Sequence, residues 1–133
     1  MALSIINILS KMMYTYDQLY LDYTNYEINI KQLKSKRNTR LTNTKIKQYH
    51  LLSRQNIYDR IRISTEVFYY IRQYADQLLT DSHFKLNFAN KLDHYEYELQ
   101  TNQFIIFPSS KEEAFIVKAL KDEIQLCNKL FNY

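Results

Sequence analysis

The stretch Ile28–Tyr58, INIKQLKSKRNTRLTNTKIKQYHLLSRQNIY, decides how the rest of the chain is read. It holds eight basic residues, Lys31, Lys34, Lys36, Arg37, Arg40, Lys45, Lys47 and Arg54, and no Asp or Glu. In its middle, Ser35–Thr44, the apolar period is lost and Asn38, Thr39, Thr42, Asn43 and Thr44 accumulate. Such side chains compete with helical hydrogen bonds and favour caps and turns. A bend over 35–44 is therefore predicted, with Thr42, Asn43 or Thr44 capping the helix that follows.

On the N-terminal side, apolar residues recur in alternating steps of four and three: Ile5, Leu9, Met12, Tyr16, Leu19, Tyr23, Tyr26, Ile30, Leu33. That period is the signature of a helix with a coiled-coil-like seam, here over about 4–34. Ile6, Met13 and Tyr20 widen the stripe, as a helix touching more than one neighbour requires. On the other side a helix over about 45–79 is expected. Its seam is Ile57, Ile61, Ser64, Phe68, Ile71, Ala75 and Leu78, with Val67, Tyr70 and Tyr74 beside it. Arg72 and Asp76 are spaced for an i,i+4 pair. Two rods of this length form an antiparallel hairpin longer than a compact domain is wide, with the basic bend at one end.

Beyond Asp81 and Ser82 the pattern is ambiguous. Phe84, Phe88 and Leu92 suit a short helix over 82–92. HYEYEL (94–99) alternates and FIIF (104–107) is β-prone, so a small β-hairpin over 94–107 is expected, with one helix over 81–101 as its competitor. Pro108 then ends that run. Ser109 with Glu112, or Ser110 with Glu113, offers a capping box for a last amphipathic helix over 110–131, whose face is Val117, Leu120, Ile124, Cys127 and Phe131. The fold class is thus mainly α, in a single domain: a long helical hairpin plus a C-terminal helix.

Composition removes several functions. The 133 residues include no Gly and one Pro, so a phosphate-cradling glycine loop or dinucleotide fingerprint cannot be built. Phe, Tyr, Ile, Asn and Lys, with A/T-rich codons, far outnumber Gly, Ala, Arg and Pro. An A/T-rich viral, mobile-element or organellar source suits that bias. The lone Cys127 forbids an intrachain disulfide and fits a reducing compartment. The apolar run near the start is short and has no basic residues before it, so neither a leader nor a membrane span is expected, and the chain reads as intracellular and soluble.

Catalytic residues, cofactor sites and metal sites are not expected. His50, His83 and His94 lack ligand spacing, with or without Asp81 and Asp93, and Cys127 has no second Cys beside it. The thirteen tyrosines are read as core and interface, because Tyr16, Tyr23 and Tyr26 sit on the packing seam. What stands out is charge. Outside Ile28–Tyr58, ten Lys or Arg face fourteen Asp or Glu, a net −4, whereas the stretch itself carries +8. The expected function is a non-catalytic interaction or assembly protein. Its aromatic helix faces pack on a protein partner or on a second copy, and its eight basic residues contact an acidic surface. The alternative is a nucleic-acid-binding protein using the same 31–54 segment, with Tyr26 and Tyr49 flanking the charges. No small-molecule substrate is indicated.

Overall fold

The computed structural model describes residues 2–37 and 39–131. Asn38, within the expected bend, lies outside them, as does the side chain of Phe131. Among the described residues six helices follow one another: α1 (Ala2–Lys34), α2 (Arg40–Gln73), α3 (Ala75–Leu78), α4 (Ser82–Thr101), α5 (Gln103–Ile106) and α6 (Lys111–Phe131). α1 and α2 form the antiparallel hairpin, and α6 packs on α2.

Both long seams are where the sequence period puts them. All nine seam positions of α1 are buried or half-buried, with Leu9, Tyr16 and Ile30 fully so. All seven positions of the second seam are buried, five on α2 and Ala75 and Leu78 on α3, because the single helix expected to reach residue 79 breaks at Tyr74. The bend is shorter than expected, and α2 begins five residues earlier. Thr39 caps it, its Oγ1 accepting from Thr42 N at 3.1 Å, while Thr44 Oγ1 donates back to Arg40 O at 3.0 Å. Threonines that read as a turn are thus absorbed into a helix, one as its cap and another by back-bonding. With no glycine, no described residue has a positive φ.

The expected β-hairpin over 94–107 is not formed, and no strand occurs among the described residues. α4 runs unbroken to Thr101 because Leu92, Tyr95 and Leu99 prolong the stripe begun by Phe84 and Phe88, giving one continuous buried face. That packing outweighs the local alternation of HYEYEL. Asp81 Oδ1 caps the helix by accepting from Phe84 N at 3.0 Å. Asn102 ends it, and its N–H and Nδ2 both donate to Glu98 O. Phe104 and Ile105 are buried in the single helical turn α5 instead of in a strand. At the start of α6, Ser110 Oγ accepts from Glu113 N, and the Glu113 carboxylate reaches back to the Ser109 N–H at 2.8 Å. Arg72 does not pair with Asp76; it makes a two-pronged bond to Glu123 of α6 at 3.0 Å.

The core lies around the wider half of the hairpin, where Phe68, Phe88, Tyr95, Leu120 and Cys127 gather. Hydrogen bonds, ion pairs and ring contacts from α4, α5 and α6 reach the hairpin between Tyr16 and Tyr20 on α1 and between Arg54 and Arg72 on α2. Among the described residues 28–52, Ile30 alone is fully buried. This segment is a two-helix arm on a multi-helix body. A two-helix arm with so little burial opens more readily than the body. Amide hydrogen exchange should therefore run at least about tenfold faster over residues 28–50 than over 57–71; equal protection would mean that the arm is covered.

Candidate functional site: a basic arm rooted in a buried charge pair

Seven of the eight basic residues singled out in the sequence sit on the arm. Lys31 and Lys34 occupy the last turn of α1, where the helix dipole welcomes cations. Lys36 and Arg37 lie in the bend, and Arg40, Lys45 and Lys47 follow on α2. All seven are exposed, and among the described residues none of them takes part in an ion pair. Arg40 even stands at the N-terminus of α2, whose first turn has no acidic residue, at the end of the helix that favours anions. The eighth, Arg54, belongs to the body. Its Nε donates to Glu113 Oε1 at 2.9 Å, its Nη2 to Ser109 Oγ at 2.7 Å, and its guanidinium lies 4.8 Å from the centre of the Phe104 ring. Tyr26 and Tyr49 face each other within the arm at 6.2 Å between ring centres.

Below the arm, α1, α2 and α4 are joined by a pair of opposite charges that sequence reading overlooked. Arg60 Nη1 donates to Glu98 Oε2 at 2.9 Å, and both residues are buried. Tyr16 OH donates to the same carboxylate oxygen, and His94 Nε2 lies 2.8 Å from Glu98 Oε1. Arg60 Nε donates to Asn56 Oδ1 at 2.9 Å, while Asn56 Nδ2 donates to Leu19 O at 2.8 Å. The guanidinium also sits over the rings of Tyr23, Tyr20 and Tyr16, at 4.6, 5.3 and 5.8 Å. Those ring faces supply electrostatic attraction where the buried Arg60 Nη2 has no hydrogen bond. Burial draws the guanidinium down to about 10, opposed by the nearby Tyr23 and Tyr20, and burial alone pushes the Glu98 carboxyl up to about 7. A sequence signal for this pair exists. Arg60 interrupts the apolar face of α2 beside Ile57 and Ile61, and Glu98 interrupts that of α4 between Tyr95 and Leu99.

Two of the hollows on the surface bear on function. The larger, a 730 Å³ cleft between the N-terminal half of α1 and α4, has Ile6, Met13, Phe84 and Phe88 on its walls and an Asp17–Lys91 ion pair at 3.0 Å across it. His83, His94 and Asp81 reach this cleft, but no three His, Cys, Asp or Glu among the described residues converge as metal ligands. The smaller, 370 Å³, lies at the root of the arm. Cys127 is buried, its thiol donating to Phe68 O at 3.3 Å, and burial followed by the nearby Glu123 pushes it up to about 12. No described helix is long and apolar enough to cross a membrane. Comparison with protein-family models, curated proteins and solved structures finds no match for this chain.

Two outcomes test this geometry. Arg60→Met and Glu98→Leu should each cost about 3–5 kcal/mol in urea unfolding by stranding the other charge, and the double variant should recover most of that loss. Additive losses would show that the pair is not a unit. Cys127 should stay unreactive to a thiol reagent at pH 8 until the protein unfolds; prompt labelling of the folded protein would contradict its burial.

Proposed function

We propose that this protein is a non-catalytic interaction or assembly protein whose basic arm seats on an acidic face of a protein partner or of a second copy. The observation that carries the reading is the set of seven exposed cations on the arm, with no carboxylate among residues 28–58 and no ion pair to quiet them. Such a tip repels itself and raises the rate of encounter with anything acidic. The body contrasts with it, because Arg54, Arg60, Arg72 and Lys91 are each matched by a carboxylate.

A second feature suits a protein partner. Tyr14, Leu21 and Ile28 recur every seven residues along α1 and are 64, 55 and 48% exposed, Tyr14 beside the cleft toward α4. A heptad-spaced exposed stripe is the surface another helix packs against. Nucleic acid is the alternative for the arm, and Tyr26 and Tyr49 weigh against it, because their rings face each other inside the arm instead of standing free to stack on bases.

The test replaces Lys34, Lys36, Arg37 and Arg40 together with Glu. Because all four are exposed, the variant should keep the wild-type helical circular dichroism. It should lose the wild type's binding to poly-glutamate, which itself should weaken about tenfold or more between about 50 and 200 mM salt. Mixed-sequence DNA bound far more tightly than poly-glutamate would put the alternative in its place. No binding of either polyanion at low salt would remove the arm as a binding element.

A further inference from the structure

The hollow at the root of the arm continues the basic face. Arg40, Asn43, Lys47, His50 and Arg54 succeed one another in steps of three and four, so they form one line along α2. Lys34 joins that line from α1, because it borders the same shallow hollow at the tip as Asn43. At the other end, His50 and Arg54 border the 370 Å³ notch, whose floor and wall are Tyr23, Ile57, Phe104 and Phe107. Phe107 is 71% exposed on the outer side of that notch, directly before Pro108. A large apolar ring left in water beside a donor-lined hollow is the kind of anchor pocket on which peptide recognition relies.

We infer that this notch holds the bulky apolar side chain of an acidic peptide segment of the partner, whose carboxylates lie along Lys34 and Lys47 of the arm. The inference rests on the reading of the arm as an acid-binding element and adds the identity of what it binds. Charge complementarity along the line selects an anion. The notch selects a peptide over a nucleic acid strand, because it also contains Glu27, bonded by Ser53 Oγ at 3.0 Å, with Glu113 close behind Arg54. Phosphates passing there would meet those carboxylates, whereas a peptide brings N–H donors to them. The distance also fits. From Asn43 to Arg54 is about 16 Å along a helix, which an extended peptide crosses in about five residues.

The test uses acetylated, amidated peptides of five Glu carrying Phe at one end or the other, each beside a counterpart with Ala in place of Phe. A Phe peptide should bind the wild type about tenfold more tightly than its Ala counterpart, the gain from burying one aromatic side chain. In Phe107→Ala, checked for unchanged helical circular dichroism, that ratio should fall to about one. The double variant Lys34→Glu and Lys47→Glu should weaken Phe and Ala peptides alike. Equal binding of Phe and Ala peptides to the wild type overturns the notch and leaves the acid-binding arm standing. No binding of any peptide at low salt overturns the arm and the notch together. An oligothymidylate that binds more tightly than the peptides and loses affinity in Phe107→Ala assigns the notch to a base and overturns the peptide.

Discussion

The salt link between Arg60 and Glu98 is the constraint on which the architecture depends. Two opposite charges removed from water are held only if their surroundings replace most of what water gave them, since an isolated ion in the interior costs several kcal/mol. Tyr16 from α1, Asn56 from α2 and His94 from α4 surround the pair, and three tyrosine rings face the guanidinium, whose Nη2 has no hydrogen bond. A pair so surrounded tolerates only one register of α4 against the hairpin. It also sets where the body stops. Tyr23 and Arg60 mark the last level at which a tyrosine ring and the buried pair meet, and beyond Arg54 the hairpin goes on as two helices.

The arm follows from that boundary. A third helix would have to cover residues 28–52 to bury them, and α6 instead starts level with Arg54, fixed by Glu113 and Ser109. What remains is a seam two helices wide, closed by Ile30 and by the Tyr26–Tyr49 contact. Seven like charges on such a thin support weaken it by mutual repulsion, and Arg40 adds to this at the N-terminus of α2. Both penalties fall when an anion arrives. Stability of the arm and binding by the arm are therefore linked, because a ligand that favours the closed hairpin stabilises it by mass action.

How far the fold could be read from sequence depended on how many turns of helix each pattern covered. The seams of α1 and α2 persist over many turns, so a stray polar residue such as Ser64 does not break them, and they are buried as expected. HYEYEL spans six residues, too few to separate a period of two from one of 3.6, and only the longer run from Phe84 to Leu99 decides for helix. Thr39 was hidden among equivalent threonines. Sequence shows the i,i+4 spacing of Arg72 and Asp76 and does not show that the helix breaks between them or that Glu123 lies across from Arg72. The arm's cations were legible as a block of one sign; the notch was not, since His50 and Phe107 lie 57 residues apart and meet only through tertiary packing.

The same contrast explains why the paired carboxylates of the body do not turn to the arm. Glu113, Glu98, Glu123 and Asp17 are each engaged by a cation of the body, at positions fixed by helix packing. To reach the arm Glu98 would have to abandon the buried Arg60, at a cost of several kcal/mol. Screening at physiological salt limits attraction between exposed charges to about 8 Å, less than the span from Arg54 to Arg40, about 21 Å along α2. Body and tip thus behave as separate electrostatic units joined by the hairpin. The positive one is free to meet a carboxylate surface that the chain itself does not present to it.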